Sequence, residues 1–369
     1  MTKQVWQVER FSTDVTNQIE SLQYFTGRRT QFDSWGPGSL VFTIHNDNGE
    51  ANGYDLNDKI ILTATGTNFY QWFYVQEVLF DDRGGDGGGS SATIVCTDLL
   101  GRMGRISVFE QSIGSALTID QIYNEFNSLM PTGTGISAIG NGDSTASADA
   151  SYTGTVLNRL NLNMTTEQGA INLTAGAVAL FSRSAIGSFV NPVITFARTA
   201  SGFFQMGYFD IKRIALGSNY LNNCTAIPPT AAQQNSTDAT GVATYGTYGA
   251  EFATVDNSQA QALSFAQWQV QSRSDPDELS FQISVSDTAN AIANFFNEIY
   301  ADNPIVTVSY QNPGTPTDLT STQIIQGWGM TVTPAKTDME IFTSPLTYTN
   351  FFTLDSATFG VLDTSRLGW

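Results

Sequence analysis

The chain alternates between two hydrophobic rhythms, and the two-residue rhythm of strands dominates its first quarter. Within residues 4–11, Trp6 and Val8 share one face and Val5 the other, which predicts an opening strand. Leu40, Phe42 and Ile44 repeat that period within 39–46, after the punctuation of Gly36, Pro37 and Gly38. Asp47 and Gly49 then supply turn chemistry. A strand predicted over 59–65 leads through Gly66 into the stretch around which the chain is organised. There Phe69, Tyr70, Trp72, Phe73, Tyr74, Val75, Val78, Leu79 and Phe80 make an aromatic, β-branched run suited to a pleated surface. Residues 91–97 form the returning run, with Ala92, Ile94 and Cys96 on one face. Residues 81–90 between them are mostly glycine and aspartate, which predicts a long hairpin with a mobile tip. Strand spacing over the first 110 or so residues suits a barrel or a sandwich.

The helical rhythm enters later. Thr118 followed by Gln121 fits a capping box, and Ile122, Tyr123, Phe126, Leu129 and Met130 fall on one helical face. Pro131 and Gly133 stop that helix. Gly140 and Gly142 open a small-residue stretch, 140–152, that reads as a linker. Val156, Leu157, Leu160 and Met164 predict a second helix, and 170–173 with 177–181, parted by Gly176, a hairpin. Strand-like sequence returns over 203–216, and 227–241, with Pro228 and Pro229, reads as a polar loop. Ala262, Leu263, Ala266 and Val270 predict a helix over 258–270. A strand over 279–285 follows, then helical spacing at Ile292, Phe295, Phe296 and Ile299. Strands are predicted over 305–310 and 323–333, joined by a loop rich in proline, glycine and threonine.

Length and composition narrow the reading. A chain of 369 residues has room for roughly two or three domains, and 41% hydrophobic residues mark it as folded. No apolar run approaches the roughly 20 residues that span a bilayer, and the start MTKQVWQVERF lacks the apolar core of a signal peptide. The expectation is a soluble protein made in a cytoplasm. Sixteen basic residues against 34 acidic ones leave a net charge of −18, which repels nucleic-acid phosphate and argues against a DNA reader.

Candidate chemistry is sparse. His45, the only histidine, stands near a strand end, far in sequence from both cysteines, so neither a catalytic triad nor a zinc site is favoured. Cys96 and Cys224 make no disulfide framework and read as buried free thiols, one disulfide being the other arrangement open to them. Carboxylates are abundant enough for a glycosidase pair, which sequence alone does not exclude. Asp81, Asp82 and Asp86 lie in the glycine-rich loop in a spacing that matches neither an EF-hand nor the repeated calcium nonapeptide. A solvated hairpin tip is the plainer reading. No Gly-Lys-Ser/Thr follows the loop glycines, so it is no P-loop. No catalytic, cofactor-binding or metal residue is assigned.

Several segments resemble the tail hub and minor tail proteins of long-tailed bacteriophages. TGRRTQFDSWGPGSLVFTIHNDNGE is similar to that family's N-terminal signature, an Arg-rich turn (Gly27, Arg28, Arg29) before a strand closing in Asn46, Asp47 and Gly49. VQEVLFDD and SATIVCTDLLGRMGR resemble its hairpin with an Asp-Leu-Leu ending, here Asp98, Leu99 and Leu100. GTVLNRLNLNMTTEQGAINLTAGAVALFSR is similar to its helix and Gly-marked hairpin, and ALSFAQWQVQSRSDP to a helix closing on Arg273, Asp275 and Pro276. IIQGWGMTVTPAKTDMEIFTSPL resembles the closing hairpin, and LDSATFGVLDTSRLGW, with Leu362, Asp363, Arg366, Leu367, Gly368 and Trp369, the C-terminal tail. The acidic Gly- and Ala-rich stretch 140–150 departs from the pattern.

The resemblance implies a mainly β, α+β chain: two tail-tube-like β-barrel domains with smaller inserted α/β domains. The expected division is 1–112 for the first barrel, 113–200 for the insertion, and 201–369 for the second barrel with a helical insertion and the tail. Three such chains supply six barrels, which matches a six-fold tube to a three-fold tip. The implied role is a structural, non-enzymatic hub ring in the virion tail, a homotrimer made in the host cytoplasm. Its implied partners are the distal tail protein, the tape measure protein and other tail-tip proteins, with DNA passing without sequence recognition and no membrane engaged. FYVQEVLFDDR with SATIVCT also echoes IIQGWGMTVTPAKTDMEIFTS, with Gln76 and Gln326 similarly placed. Other readings are a hexameric distal tail protein with one barrel per chain, a cell-wall or capsule hydrolase, and a carbohydrate-binding receptor protein.

Overall fold

The computed structural model describes all residues except 1–5, 82–89, 175, 188–191, 199–204, 216–219, 276–278, 287–290, 299–303, 312–313, 315–316, 347–350, 353–365 and 368–369. Most of the predicted strands join one 14-stranded sheet that runs through both ends of the chain. Its N-terminal unit contains Ile19–Gly27, Ser39–His45, Lys59–Ala64, Tyr70–Asp81 and Ser91–Thr97. Numbered in chain order, these strands lie side by side as first, second, fifth, fourth, third, all antiparallel.

The C-terminal unit repeats this arrangement. Asp210–Ala215, Leu279–Ser286, Ile305–Gln311, Asp318–Val332 and Thr337–Pro345 take the same side-by-side order with the same antiparallel sense. The likeness reaches single residues. Each unit's long fourth strand shifts register against the fifth at one place, between Val75 and Glu77 and between Ile325 and Gly327, so Gln76 and Gln326 are the bulged residues. Beside each bulge the same backbone bond recurs. The Val75 N–H donates to the Asp58 carbonyl at 3.0 Å and the Ile325 N–H to the Pro304 carbonyl at 2.9 Å.

Edge pairing joins the units. Past its bulge, Gly327–Val332 of the C-terminal unit runs antiparallel to Leu22–Gly27 of the N-terminal one. One apolar core serves both, from Trp6, Tyr24, Phe42 and Phe73 to Phe281, Phe296, Trp328 and Ile341. Trp328 stands between the units against Tyr24, Phe69, Phe295 and Phe296, with ring centroids 4.5 to 5.8 Å apart.

The described strands form no closed barrel. Closing the N-terminal unit requires Trp6–Arg10 to pair with Ile19–Gly27, but that edge is already taken by Gly327–Val332. Trp6–Arg10 instead pairs with Lys59–Ala64 and the short Thr13–Asp14. A cavity of about 400 Å³ fills the gap, lined by Trp6, Val8, Ile19, Leu22 and Val332.

Two smaller bodies hang on this sheet. One spans Leu99 to Leu180 and packs its helices Thr118–Phe126 and Val156–Glu167 against a three-stranded sheet containing the 170–181 hairpin. The other packs the Gln259–Gln271 helix on a sheet of Asn223–Ile227, Gln234–Thr237 and Gly249–Ala253.

Several expectations are corrected. Thr118 and Gln121 build no capping box, because both side chains are drawn to other parts of the fold. Thr118 Oγ1 donates to Glu167, while Gln121 Nε2 donates to the carbonyls of Gly114 and Ser147. The 140–152 stretch is not a linker, since Asp149–Thr155 pairs with Ser107–Ile113. Nor is 227–241 simply a loop, for it holds the Gln234–Thr237 strand and the start of the Ala239–Tyr245 helix.

Candidate assembly surface

The Arg-rich turn lies at the join between the units. Gly27 adopts φ +85, and a Cβ there would sit 2.4 Å from the Gln326 carbonyl oxygen and 2.6 Å from the Gly327 Cα. A Cβ on Gly327 would meet the Thr26 and Arg28 carbonyls, both at 2.6 Å. Two glycines thus let the backbones close up where any side chain would hold them apart. Arg28 then fastens the bulge. Its backbone N–H donates to the Gln326 carbonyl at 3.0 Å and its Nε to Gln326 Oε1 at 2.8 Å. Its guanidinium lies 4.5 Å from the centre of the Trp35 ring, and that of Arg29 lies 5.8 Å from Phe342.

The Asp-Leu-Leu ending links the N-terminal unit to the first smaller body, in whose core Leu99 and Leu100 pack. Asp98 is fully buried, capping the Leu99–Met103 helix by accepting from the Gly101 N–H at 3.1 Å while its other oxygen accepts from the Gly38 N–H at 2.7 Å. Burial outweighs these hydrogen bonds and pushes its carboxyl up to about 6. A second buried carboxylate, Glu167, accepts from Thr118 Oγ1 and from the backbone N–H groups of Asp143, Ser144 and Arg183. Burial raises its pKa, and raises that of Asp256 to about 6.

Asp98, Glu167 and Asp256 line neither the cavity beside Trp6, nor that of about 100 Å³ behind Trp328, nor the cleft of about 710 Å³ beside Tyr24 and Met339. His45 is exposed at its strand end, its Nδ1 2.8 Å from Glu20 Oε1. Cys96 and Cys224 are free and buried; burial raises both thiols, that of Cys224 to about 11. No group of three or more His, Cys, Asp or Glu residues poised for a metal occurs among the described residues. Asp81 ends its strand, while Asp82 and Asp86 lie outside the described residues. No described helix is long and apolar enough to cross a membrane.

What remains unabsorbed is strand edge. Beyond Val75 the Tyr70–Asp81 strand outruns its Lys59–Ala64 neighbour, and on that side its last residues meet no other described strand. Leu79 is 48% and Phe80 51% exposed there. Among the described strands Asp210–Ala215 pairs on one side only, with Leu279–Ser286, and its Ile214 is 43% exposed. Sequence reading found the hairpin that carries the first edge and placed it at the centre of the chain's organisation, but not the unpaired edge at its end. It missed the second edge, for which the Lys212-Arg213 pair between Ile211 and Ile214 was the available signal.

No family model and no curated protein matches the sequence. Solved structures do match. The tail protein from Neisseria meningitidis MC58 superposes with a TM-score of 0.65 over 94% of this chain and 97% of its own, at 13% identity. The fold is that of phage tail proteins. The 43 kDa tail protein of prophage MuSo2 from Shewanella oneidensis gives a TM-score of 0.64 over 93% and 98%, at 9% identity. The E. coli c3393 protein, a type VI secretion component with structural similarity to the T4 tail proteins gp27 and gp5, gives 0.54 over 89% and 74%, at 6% identity. The likeness to the two tail proteins runs over nearly the whole of each, so the smaller bodies are included in it.

Proposed function

We propose that this chain is a structural virion protein, a tail hub whose copies form a ring between tail tube and tail tip. The observation that carries the reading is the repeated five-strand unit, whose two copies are already joined edge to edge within one chain. A chain built this way contributes two tube-like, barrel-forming segments. Three chains contribute six, so a homotrimer presents a nearly six-fold face to the tube and a three-fold face to the tip. The fold shared with the Neisseria and Shewanella tail proteins supports this, as does the likeness of c3393 to gp27 and gp5.

The role is mechanical and electrostatic rather than enzymatic. Edge pairing between copies removes exposed strand edges. Acidic residues facing the lumen let DNA pass without adhering, since carboxylate and phosphate repel, and the net charge of −18 motivates that assignment. Finding the acidic side chains mainly on the outer wall of an assembled ring would overturn it. The distal tail protein, the tape measure protein and other tail-tip proteins are the proposed neighbours.

The test is the mass of the purified protein, followed by particle averaging of its symmetry. A three-fold ring with six barrel-like densities is the expected result. A six-fold ring assigns the chain to the distal tail position instead. Hydrolysis of purified bacterial envelopes, lost on changing a carboxylate pair, would replace the hub with a tail-tip hydrolase.

A further inference from the structure

The junction inside the chain predicts the one between chains, residue by residue. The bulges equate Val75 with Ile325 and Gln76 with Gln326. Following the ladder outward from Val75 passes through Cys96 and Leu40 to Tyr24; from Ile325 it passes through Thr343 and Phe281 to Arg213. Tyr24 and Arg213 are therefore equivalent positions. Within the chain, Met330 pairs with Tyr24, and Met330 stands as far beyond its bulge as Phe80 does beyond Gln76.

We infer that the free end of the Tyr70–Asp81 strand pairs antiparallel with the Asp210–Ala215 edge of a second copy of this chain. The inferred register sets Val78 opposite Ala215, Leu79 opposite Ile214, Phe80 opposite Arg213, and Asp81 opposite Lys212. This deepens the ring reading by naming the junction, although the pairing itself rests on the internal repeat.

Four observations converge on it. Among the described strands, both edges lack the neighbour that their counterparts in the other unit possess. The three exposed apolar side chains at these edges, Leu79, Phe80 and Ile214, fall within the matched register. It places Leu79 on Ile214, apolar on apolar, and Phe80 against a guanidinium. On the face carrying Leu79, Asp81 meets Lys212, opposite in charge. The two edges are different surfaces, so the contact is head-to-tail and closes into a ring when the rotation permits.

Paired cysteines read this directly. Residues facing each other across antiparallel strands have Cβ atoms about 4.5–5.5 Å apart, close to disulfide range. Mixing full-length Leu79→Cys with full-length Ile214→Cys under oxidation is expected to give a two-chain product, and the double variant a ladder ending at the ring. Cys96 and Cys224 are buried and do not compete. Leu79→Cys with Arg213→Cys is expected to give none, because a one-residue step turns the side chain to the opposite face. Leu79→Asp is expected to weaken association about tenfold or more, with Ile214→Lys restoring part of it.

A ring that forms without the 79–214 product, or with the 79–213 product in its place, overturns this junction and leaves the hub reading standing. The 79–214 product in open filaments that never close supports the junction and removes the ring. Chains that neither associate nor cross-link at any concentration overturn the junction.

Discussion

The two units share strand order, bulge and register, yet differ in what lies beyond the bulge. In the C-terminal unit, the residues after Gln326 are Gly327, Trp328, Gly329 and Met330, paired on both sides and packed into the core. In the N-terminal unit, the residues after Gln76 are Glu77, Val78, Leu79 and Phe80, paired on one side. The same backbone device thus serves once as an internal seam and once as an outer edge. Glycine, tryptophan and arginine mark the seam, whereas this edge carries charge, two aliphatic residues and an exposed phenylalanine. The difference shows that permanence is written in the side chains rather than in the ladder.

Substitutions on either side of this comparison should differ in size. The largest expected effect is Trp328→Ala, a loss of about 3–5 kcal/mol in denaturant unfolding, because it empties the aromatic cluster between the units. Its counterpart Val78→Ala, only partly buried, should cost about 1 kcal/mol or less. Equal losses would mean that Trp328 does not secure the seam.

Next in size is a pH effect confined to the N-terminal unit. Asp98 corresponds in register to Pro345, so only one hairpin ends on a buried carboxyl. Its pKa rises from 3.8 to about 6 on folding, so its stabilising contribution is complete below pH 4 and lost as pH climbs to about 6. The stability of the native protein relative to Asp98→Asn should therefore fall by roughly 2 kcal/mol between pH 4 and 7. A difference that stays flat or rises contradicts this.

Gly27→Ala should cost about 2 kcal/mol or more, from positive φ together with collision against Gln326. Gly66→Ala, with φ +80 but open space around it, should cost about 1 kcal/mol. Thermal unfolding of the pair separates strain from close approach. The smallest expected effect is Arg28→Lys, about 1 kcal/mol, since lysine keeps the charge but loses the Nε donor and the flat face over Trp35. A change no larger than that of an exposed Arg105→Lys would remove Arg28 from the seam.

Legibility in the sequence followed burial contrast. Ser39–His45 and Ser91–Thr97 bury alternate residues and were plain from period alone. The hairpin at 170–181 and the helices at 156 and 259 were equally plain. Asp149–Thr155 was hidden because it buries no residue fully and its register shifts twice, so no two-residue hydrophobic signal survives. Asn223–Ile227 was missed because its buried face is only Cys224 and Ala226, too small to stand out. Ile19–Gly27 carried a readable alternation in Leu22 and Tyr24 after the turn-forming Asp14 and Thr16, but only those two of its nine residues are buried, so the signal is short. The assembly surface was the least legible part. An edge is a property of which strands fail to meet, and Gln76 and Gln326 hinted at it only because the repeat set them alike.

The seam also dictates when the molecule can become itself. The Arg28 to Gln326 hydrogen bond joins residues 298 positions apart, and that from Trp6 Nε1 to Thr337 joins residues 331 apart. At about 5–20 residues per second, the ribosome supplies the strand that covers Ile19–Gly27 roughly 15–60 seconds after that edge has emerged. Until then the nascent N-terminal unit presents a bare ladder and half a core, and contacts of such span close slowly. Maturation is thereby coupled to synthesis of the Gly327–Val332 strand, and a chain truncated before residue 332 should be captured by chaperones or aggregate rather than enter a virion.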